Sequence, residues 1–387
     1  MQRSNKFLRL PEYPLSELTE TKRKLTEQGM NIIDLGAGDA NLSPPREVIQ
    51  TLSEASQQIS MSRYGFQAGL PSFREGVAAW MKRRFGVDLD PYREILPLLG
   101  SKEGIAKLPL AFMNSGEMAL IPDPGYQSYV GGVILAGGTP VLIPLTEENE
   151  FLIPLDGLNE DILVNLRLLY LNYPNNPTTA LAPLDYFRAS VDFCHQSGAI
   201  LVHDNAYSEI AFDGYQPSSI LEIEGAKDVA LEFHSFSKTY NMTGWRLGWV
   251  AGGAELIAAL SKVKTFMDTG SFKAIQAAGV AALDVYDDWV PQNVGIFQGR
   301  RDAAISSFKE AGFSVTTPKA TMYLWVPIPG REGSVNFAKR ALEQEGVVVL
   351  PGAGLGSGGE GFFRVALTVE NDLMEEAAKR LGRLIEI

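Results

Sequence analysis

The sequence predicts an α/β protein: a large domain on a mostly parallel central sheet, with a smaller α+β domain beside it. Three observations point there. Short apolar runs alternate with helix-like segments between about residues 90 and 255. The last third then turns Ala-rich and helical before returning to strand-like pieces. A chain of 387 residues, 45% of them hydrophobic, is long enough for two such units.

In chain order, Ile95-Leu96-Pro97-Leu98-Leu99, Ala119-Leu120-Ile121, Val141-Leu142-Ile143 and Leu168-Leu169-Tyr170-Leu171 have the pattern of buried strands. So do Ile200-Leu201-Val202, Val229-Ala230-Leu231 and Trp249-Val250-Ala251. Each apolar run ends close to Gly, Pro, Asn or Asp, as buried strands do. Between several of them lie amphipathic segments, such as Leu184 to Ser197 with Phe187, Val191 and Cys194 on one face. This alternation implies a parallel sheet covered on both sides. From Phe272 to Gly312 the spacing is helical, except at Pro291. Strand-like Tyr323-Leu324-Trp325-Val326, Val347-Val348-Val349-Leu350 and Phe362-Phe363-Arg364-Val365-Ala366-Leu367 follow, and a closing helix is expected from Asn371 to Ile385. The expected division is an N-terminal segment 1–45 joining the small domain, a large domain 46–270, and a C-terminal small domain 271–387.

Composition excludes several functions. Lys plus Arg number 34 against 46 Asp plus Glu, a net charge of −12, so a basic face for nucleic acid is not expected. One cysteine, Cys194, cannot form an internal disulfide. No apolar run reaches the roughly 18 residues of a membrane helix, and the first residues lack a signal-like apolar core. The expectation is a cytoplasmic protein with neither membrane nor nucleic-acid partner.

The 38 glycines suggest nucleotide motifs, but these fail. Gly354-x-Gly356-x-x-Gly359 matches the dinucleotide fingerprint formally, yet a strand pattern follows where a helix is needed. It reads as a flexible loop. Gly36-Ala37-Gly38 lacks the third glycine. Three histidines, His195, His203 and His234, make a poor metal inventory, so no metal site is expected.

The most informative segment is Ser235-Phe236-Ser237-Lys238-Thr239-Tyr240, followed by Gly244-Trp245-Arg246-Leu247-Gly248. Two hydroxyls and a lysine stand at a strand end, where ligands bind in open α/β sheets. Ser235, Ser237 and Arg246 can cradle a phosphate. A lysine there can condense with a carbonyl cofactor.

This pattern, Ser-x-Ser-Lys-x-x-x-x-x-Gly-x-Arg-x-Gly, resembles the lysine motif of the class I/II aminotransferases, pyridoxal-phosphate enzymes of fold type I. The resemblance covers nearly the whole chain and makes 46–270 the cofactor-binding domain. It implies that Lys238 is catalytic, holding the cofactor covalently and then moving a proton as general base and acid. Asp204, in His203-Asp204-Asn205-Ala206-Tyr207, matches the aspartate that pairs with the pyridinium nitrogen. Tyr207 and Asn176, the latter in Asn172-Tyr173-Pro174-Asn175-Asn176-Pro177-Thr178, match donors to the cofactor's phenolic oxygen. Ser101 and Lys102, in Gly100-Ser101-Lys102-Glu103-Gly104, match the phosphate turn, and Tyr126 the aromatic that stacks on the ring. Arg364 matches the arginine gripping the substrate carboxylate. Tyr64 resembles the tyrosine that reaches the phosphate in the neighbouring subunit, which implies a homodimer with shared active sites.

The family usually has glycine after Asn-Pro-Thr, whereas this chain has Thr179. Threonine tolerates positive φ poorly, so a local difference in this loop is expected. More narrowly, Gly-Ser-Lys-Glu-Gly, Asn-Tyr-Pro-Asn-Asn-Pro and Ser-Lys-Thr-Tyr-Asn-Met-Thr-Gly-Trp-Arg look most like the LL-diaminopimelate aminotransferase group. That resemblance implies substrate contacts at Tyr13, Gly38 and Lys102, with an amino acid and a 2-oxo acid, 2-oxoglutarate among them, as substrates in a ping-pong reaction. Aminotransferases for aspartate, alanine or N-succinyl-diaminopimelate, and a β-lyase of the same fold, remain the alternatives.

Overall fold

A computed structural model describes residues 2–11 and 16–385. All seven apolar runs of the central stretch are strands of one seven-stranded sheet. Its order is Ile95–Leu98, Gly248–Gly252, Ala230–Ser235, Ile200–Asp204, Leu166–Leu171, Met118–Asp123 and Thr139–Pro144. Gly248–Gly252 runs antiparallel to both neighbours, and the other four pairings are parallel. Apolar clusters fill both faces, one containing Phe187, Val191 and Cys194 of the helix Leu184–Ser197, the other Tyr129, Val133 and Leu260. Helices on both sides of the sheet leave the carboxyl ends of its parallel strands to build the site.

A third cluster joins Ile33 and Leu35 to residues of the last third, including Phe308, Phe337, Phe363 and Leu381. Its frame is an antiparallel sheet in the order Leu350–Pro351, Phe362–Ala366, Tyr323–Pro327. The run 347–350, expected as one strand, is split: Val347–Val348 pairs in parallel with Ile33–Asp34, and Leu350–Pro351 joins the other sheet. Pro291 does not end a helix either. It lies inside Tyr286–Glu310, and the break falls earlier, at Val285, after Lys273–Asp284. The closing helix ends at Gly382, short of the expected Ile385.

The glycine segment 352–361 is not a free loop. It forms two short 3₁₀ turns, Gly352–Leu355 and Ser357–Gly359, tied to the end of a central strand. Ser357 Oγ donates to Asp123 Oδ2 at 2.7 Å, and Gly358 N–H donates to Oδ1 at 3.0 Å. A Cβ on Gly356 would lie 1.9 Å from Asp123 Oδ1. These glycines serve close backbone approach, with no flexibility or nucleotide site required.

Candidate active site

The site is built where strands end. After Ile95–Leu98 the chain turns at Gly100 into the helix Ser101–Lys107. Gly100 has φ 77°, and a Cβ there would sit 2.3 Å from Arg246 Nη2, so only glycine lets the guanidinium close over this turn. Arg246 donates to the Thr243 carbonyl at 2.7 Å and reaches Ser237 Oγ at 3.5 Å. Ser235 closes the central strand Ala230–Ser235 and caps the short helix Phe236–Thr239, its Oγ accepting from Ser237 N–H at 3.2 Å. Ser101, Ser235, Ser237 and Arg246 thus bring hydroxyls and a planar cation to one end of a cavity of about 430 Å³. That donor set suits a phosphate. Lys102 is exposed at the rim, its Nζ 5.7 Å from the centroid of the half-buried Tyr126 ring.

The floor is formed by Asp204, the last residue of Ile200–Asp204. Its Oδ2 accepts from the Tyr129 hydroxyl at 2.8 Å, while Oδ1 is buried with no partner among the described residues. Burial pushes its carboxyl up to about 6, although the Tyr129 hydrogen bond and the nearby His203 and His234 work the other way. Asn172 Nδ2 donates to the Asp204 carbonyl at 2.6 Å, and Asn176 N–H donates to Asn172 Oδ1 at 2.8 Å. This fixes the turn bearing Asn176 against the strand end. Thr179 adopts φ 64° despite its branched side chain, and its N–H donates to the Asn175 carbonyl at 3.0 Å. The left-handed turn that glycine would serve is therefore kept.

Lys238 is half-buried, and its Nζ donates to the Gly38 carbonyl. A Cβ on Gly38 would lie 2.2 Å from Tyr323 Oη, so the approach of this segment depends on a bare backbone. Tyr207 and Tyr323 place their hydroxyls 3.1 Å apart. Burial raises the Tyr207 phenol, which stays protonated; Tyr323 is held below its ordinary value, because Arg364 and Lys238 outweigh burial there. Arg364, buried in Phe362–Ala366, donates from Nη1 to Asn176 Oδ1 and from Nη2 to the Gly36 carbonyl, both at 2.8 Å. Its guanidinium lies 4.1 Å from the Tyr323 ring centroid, and its Nε–H has no partner among the described residues.

The cavity thus brings together Gly38, Ser101, Lys102, Tyr126, Asn176, Asp204, Tyr207, Ser235, Ser237, Lys238, Arg246 and Arg364. Tyr64 stands apart, 72% exposed and outside this chain's cavity. Tyr13 lies outside the described residues. Sequence reasoning missed Tyr129, Tyr323 and Asn172, which line the same cavity. Tyr129 follows Tyr126 by three residues at the start of the helix Gln127–Ala136, a spacing that puts both on one side. Tyr323 is diagonal to Arg364 across the strand pair, since Ala366 faces Tyr323 and Arg364 faces Trp325. Only the register reveals that pair. Among the described residues no group of three or more His, Cys, Asp or Glu is arranged to hold a metal. Among them, too, no helix is long and apolar enough to cross a membrane.

Comparison with known proteins agrees with this geometry. The sequence profile of the family described as aminotransferase class I and II matches residues 30–381. The LL-diaminopimelate aminotransferase of Desulforudis audaxviator (strain MP104C) is 44% identical over 372 residues, covering 96% of this chain and 95% of that protein. The enzyme of the same name from Moorella thermoacetica is 43% identical over 385 residues, covering 100% of this chain and 99% of its own. Among solved structures, substrate-bound BacF from Bacillus subtilis superposes with a TM-score of 0.96 at 33% identity, covering 99% of this chain and 98% of that one. A probable N-succinyldiaminopimelate aminotransferase from Thermus thermophilus gives 0.91 at 36% identity, covering 96% and 99%. The chain belongs to the class I and II aminotransferases, pyridoxal-phosphate-dependent enzymes of fold type I.

Proposed function

We propose that the amino donor is LL-diaminopimelate, that the acceptor is a 2-oxo acid such as 2-oxoglutarate, and that the enzyme works as a cytoplasmic homodimer. Relatives that carry the LL-diaminopimelate aminotransferase name at 43–44% identity over nearly their full length support the donor.

The cofactor's fit rests on Asp204. A buried carboxylate oxygen with no partner is costly, and it calls for a donor from the cavity. The protonated ring nitrogen of pyridoxal phosphate is such a donor. In this reading Ser101, Ser235, Ser237 and Arg246 hold the phosphate, with Lys102 beside them, Tyr126 covers the ring, and Asn176 and Tyr207 donate to its phenolic oxygen. When bound, the cofactor supplies the carbonyl that takes up the amino group and the ring that accepts the electron pair released at the substrate's Cα.

The remaining steps fall to the chain. Arg364 orients the donor's α-carboxylate, since a guanidinium matches a carboxylate bidentately and its Nε–H is still unpaired. Lys238 Nζ would remove the proton from Cα as general base and, as general acid, deliver it to the carbon that carries the cofactor's carbonyl. Hydrolysis, with water supplying the keto oxygen, would release a 2-oxo acid and end the first half-reaction, and the acceptor would run the sequence backwards. Resemblance to the LL-diaminopimelate aminotransferase group assigns Lys102 to the donor's distal carboxylate and Gly38 and Tyr13 to positions near the substrate.

Homodimerisation is supported by the apolar surface around Tyr64. Ile59, Tyr64, Phe66, Phe266 and Met267 are all more than half exposed, and segments 59–66 and 266–272 abut through Gly270 against the Phe66 backbone. Patches of this kind mark protein contacts. In a dimer, Tyr64 would serve the neighbouring subunit's cofactor phosphate.

A panel of amino donors with 2-oxoglutarate tests the substrate. Glutamate should form with LL-diaminopimelate as the preferred donor. No turnover of that donor, with efficient use of aspartate, alanine or N-succinyl-diaminopimelate, would overturn the assignment. Release of pyruvate and ammonia without an oxo-acid acceptor would instead reveal a lyase.

A further inference from the structure

A buried polar cluster behind the sheet takes no part in the steps above. Glu232, at the centre of the strand Ala230–Ser235, is fully buried. Its Oε2 accepts from Ile220 N–H at 2.8 Å and lies 2.8 Å from His203 Nδ1. Its Oε1 accepts from Ser219 Oγ–H at 2.7 Å and lies 2.7 Å from His234 Nε2. His203 Nε2 meets the Tyr173 carbonyl at 3.0 Å. A carbonyl only accepts, so Nε2 carries a proton; Nδ1 and Oε2 then share one more, whichever atom holds it. Four partners on one carboxylate is near the most it can take. Burial alone would raise the Glu232 carboxyl, but His234 and His203 outweigh it and hold it well below the usual carboxylate range.

Such a group is expensive to bury and is tolerated only when every partner is in place. Its connections lead to the catalytic residues. His203 precedes Asp204 and His234 precedes Ser235, and strand alternation puts the two histidines on the face away from the cavity. Tyr173 belongs to the turn that carries Asn176, which in turn accepts from Arg364. The charged and titratable groups about His203 and Glu232 are His234 on the strand of Glu232, Asp204 beside His203, and Glu222, which faces Glu232 from the turn before that strand, while Phe187 of the helix Leu184–Ser197 packs on the His203 ring at 4.9 Å.

The geometry points to Glu232 as a positioning residue for the reaction: through His203 it grips the Tyr173 carbonyl and sets the turn that presents Asn176 to cofactor and substrate. This rests on the donor role given to Asn176 above. Glutamine at 232 keeps the volume but accepts at one oxygen only, so the pair of contacts to His203 and Ile220 on one oxygen and the pair to Ser219 and His234 on the other cannot all persist.

The test is the pH midpoint of the visible absorbance of the cofactor-loaded protein, which reports donors to the cofactor's phenolic oxygen. Asn176→Ala should move it. Glu232→Gln should move it in the same direction by a smaller amount, with kcat lowered roughly tenfold. In the double variant Glu232→Gln should add nothing, because its effect passes through Asn176. A wild-type midpoint in Glu232→Gln beside a shifted one in Asn176→Ala would overturn this proposal alone, as would full additivity. An unshifted Asn176→Ala would overturn the donor role and this proposal with it. Should Glu232→Gln not fold, Ser219→Ala removes one donor from the same carboxylate and carries the same comparison. Without cofactor, the wild-type protein should show an exchange-protected downfield imidazole N–H resonance that disappears in His203→Gln; its absence would equally overturn the proposal.

Discussion

Asp204 carries a cost that its ligand should remove. Its folded carboxyl titrates at about 6, above the ordinary 3.8, so between these values the folded protein holds a proton that the unfolded chain has lost. Stability therefore falls as pH rises through that window, and the full penalty is present above it. Just over two units correspond to on the order of 3 kcal/mol. Cofactor-free Asp204→Asn should thus resist urea better than wild type at pH 8 by about that amount, with roughly half the difference left at pH 5. Its affinity for pyridoxal phosphate should collapse. Thr179 bears a smaller strain: the left-handed region costs a non-glycine residue about 1–2 kcal/mol, partly offset because glycine loosens the unfolded chain. Thr179→Gly should raise the unfolding free energy by about 0.5–1 kcal/mol, read as a higher urea midpoint at unchanged m-value.

At the scale of elements, the phosphate turn depends on a helix too short to be stable alone. Ser101–Lys107 has seven residues. It is anchored by a cluster of two lysines and two carboxylates. Lys264, fully buried in Ala254–Thr265, pairs with Glu103 and lies 3.2 Å from Asp268. Lys107 lies 2.7 Å from Glu103 and also pairs with Asp268. Glu103 Oε1 further accepts from Leu99 N–H at 3.2 Å, just before the turn. Lys264→Met leaves two half-buried carboxylates with Lys107 alone to compensate them and should cost about 3 kcal/mol in urea unfolding, with weaker cofactor binding.

Asp204 was matched by family resemblance, whereas the seven central strands were legible as short apolar runs ending near turn residues, and Lys238 and Arg246 as a lysine after one strand and an arginine eight residues on, before the next. Tyr323 and Tyr129 were not, since their partners arrive by sheet register and helix packing from residues 41 and 75 positions away. Glu232 was invisible for the same reason: in sequence it is one acidic residue in an apolar strand. The segment 352–361 misled by composition, because its glycines answer to Asp123, far away in the chain.

At the scale of the whole molecule, the net charge of −12 describes the exterior, while the cavity gathers Lys102, Lys238, Arg246 and Arg364 around one buried acid, Asp204. That local excess of positive charge suits phosphate and carboxylates. The apolar surface about Tyr64 and Phe266 is the molecule's candidate subunit contact. Phe266→Glu puts a charge at a residue 84% exposed, so an isolated subunit should tolerate it, whereas a dimer should not. Sedimentation should show monomers, with transamination lost alongside; a dimeric, active variant would contradict the shared-site arrangement.

Whether Lys238 moves the proton is decided in a single turnover. Cofactor-loaded wild-type protein mixed with LL-diaminopimelate, without an oxo acid, should lose its visible absorbance and release about one oxo-acid equivalent per site. Lys238→Ala should release none on the same timescale and give no turnover when 2-oxoglutarate is added. Full activity in Lys238→Ala would show that another group moves the proton.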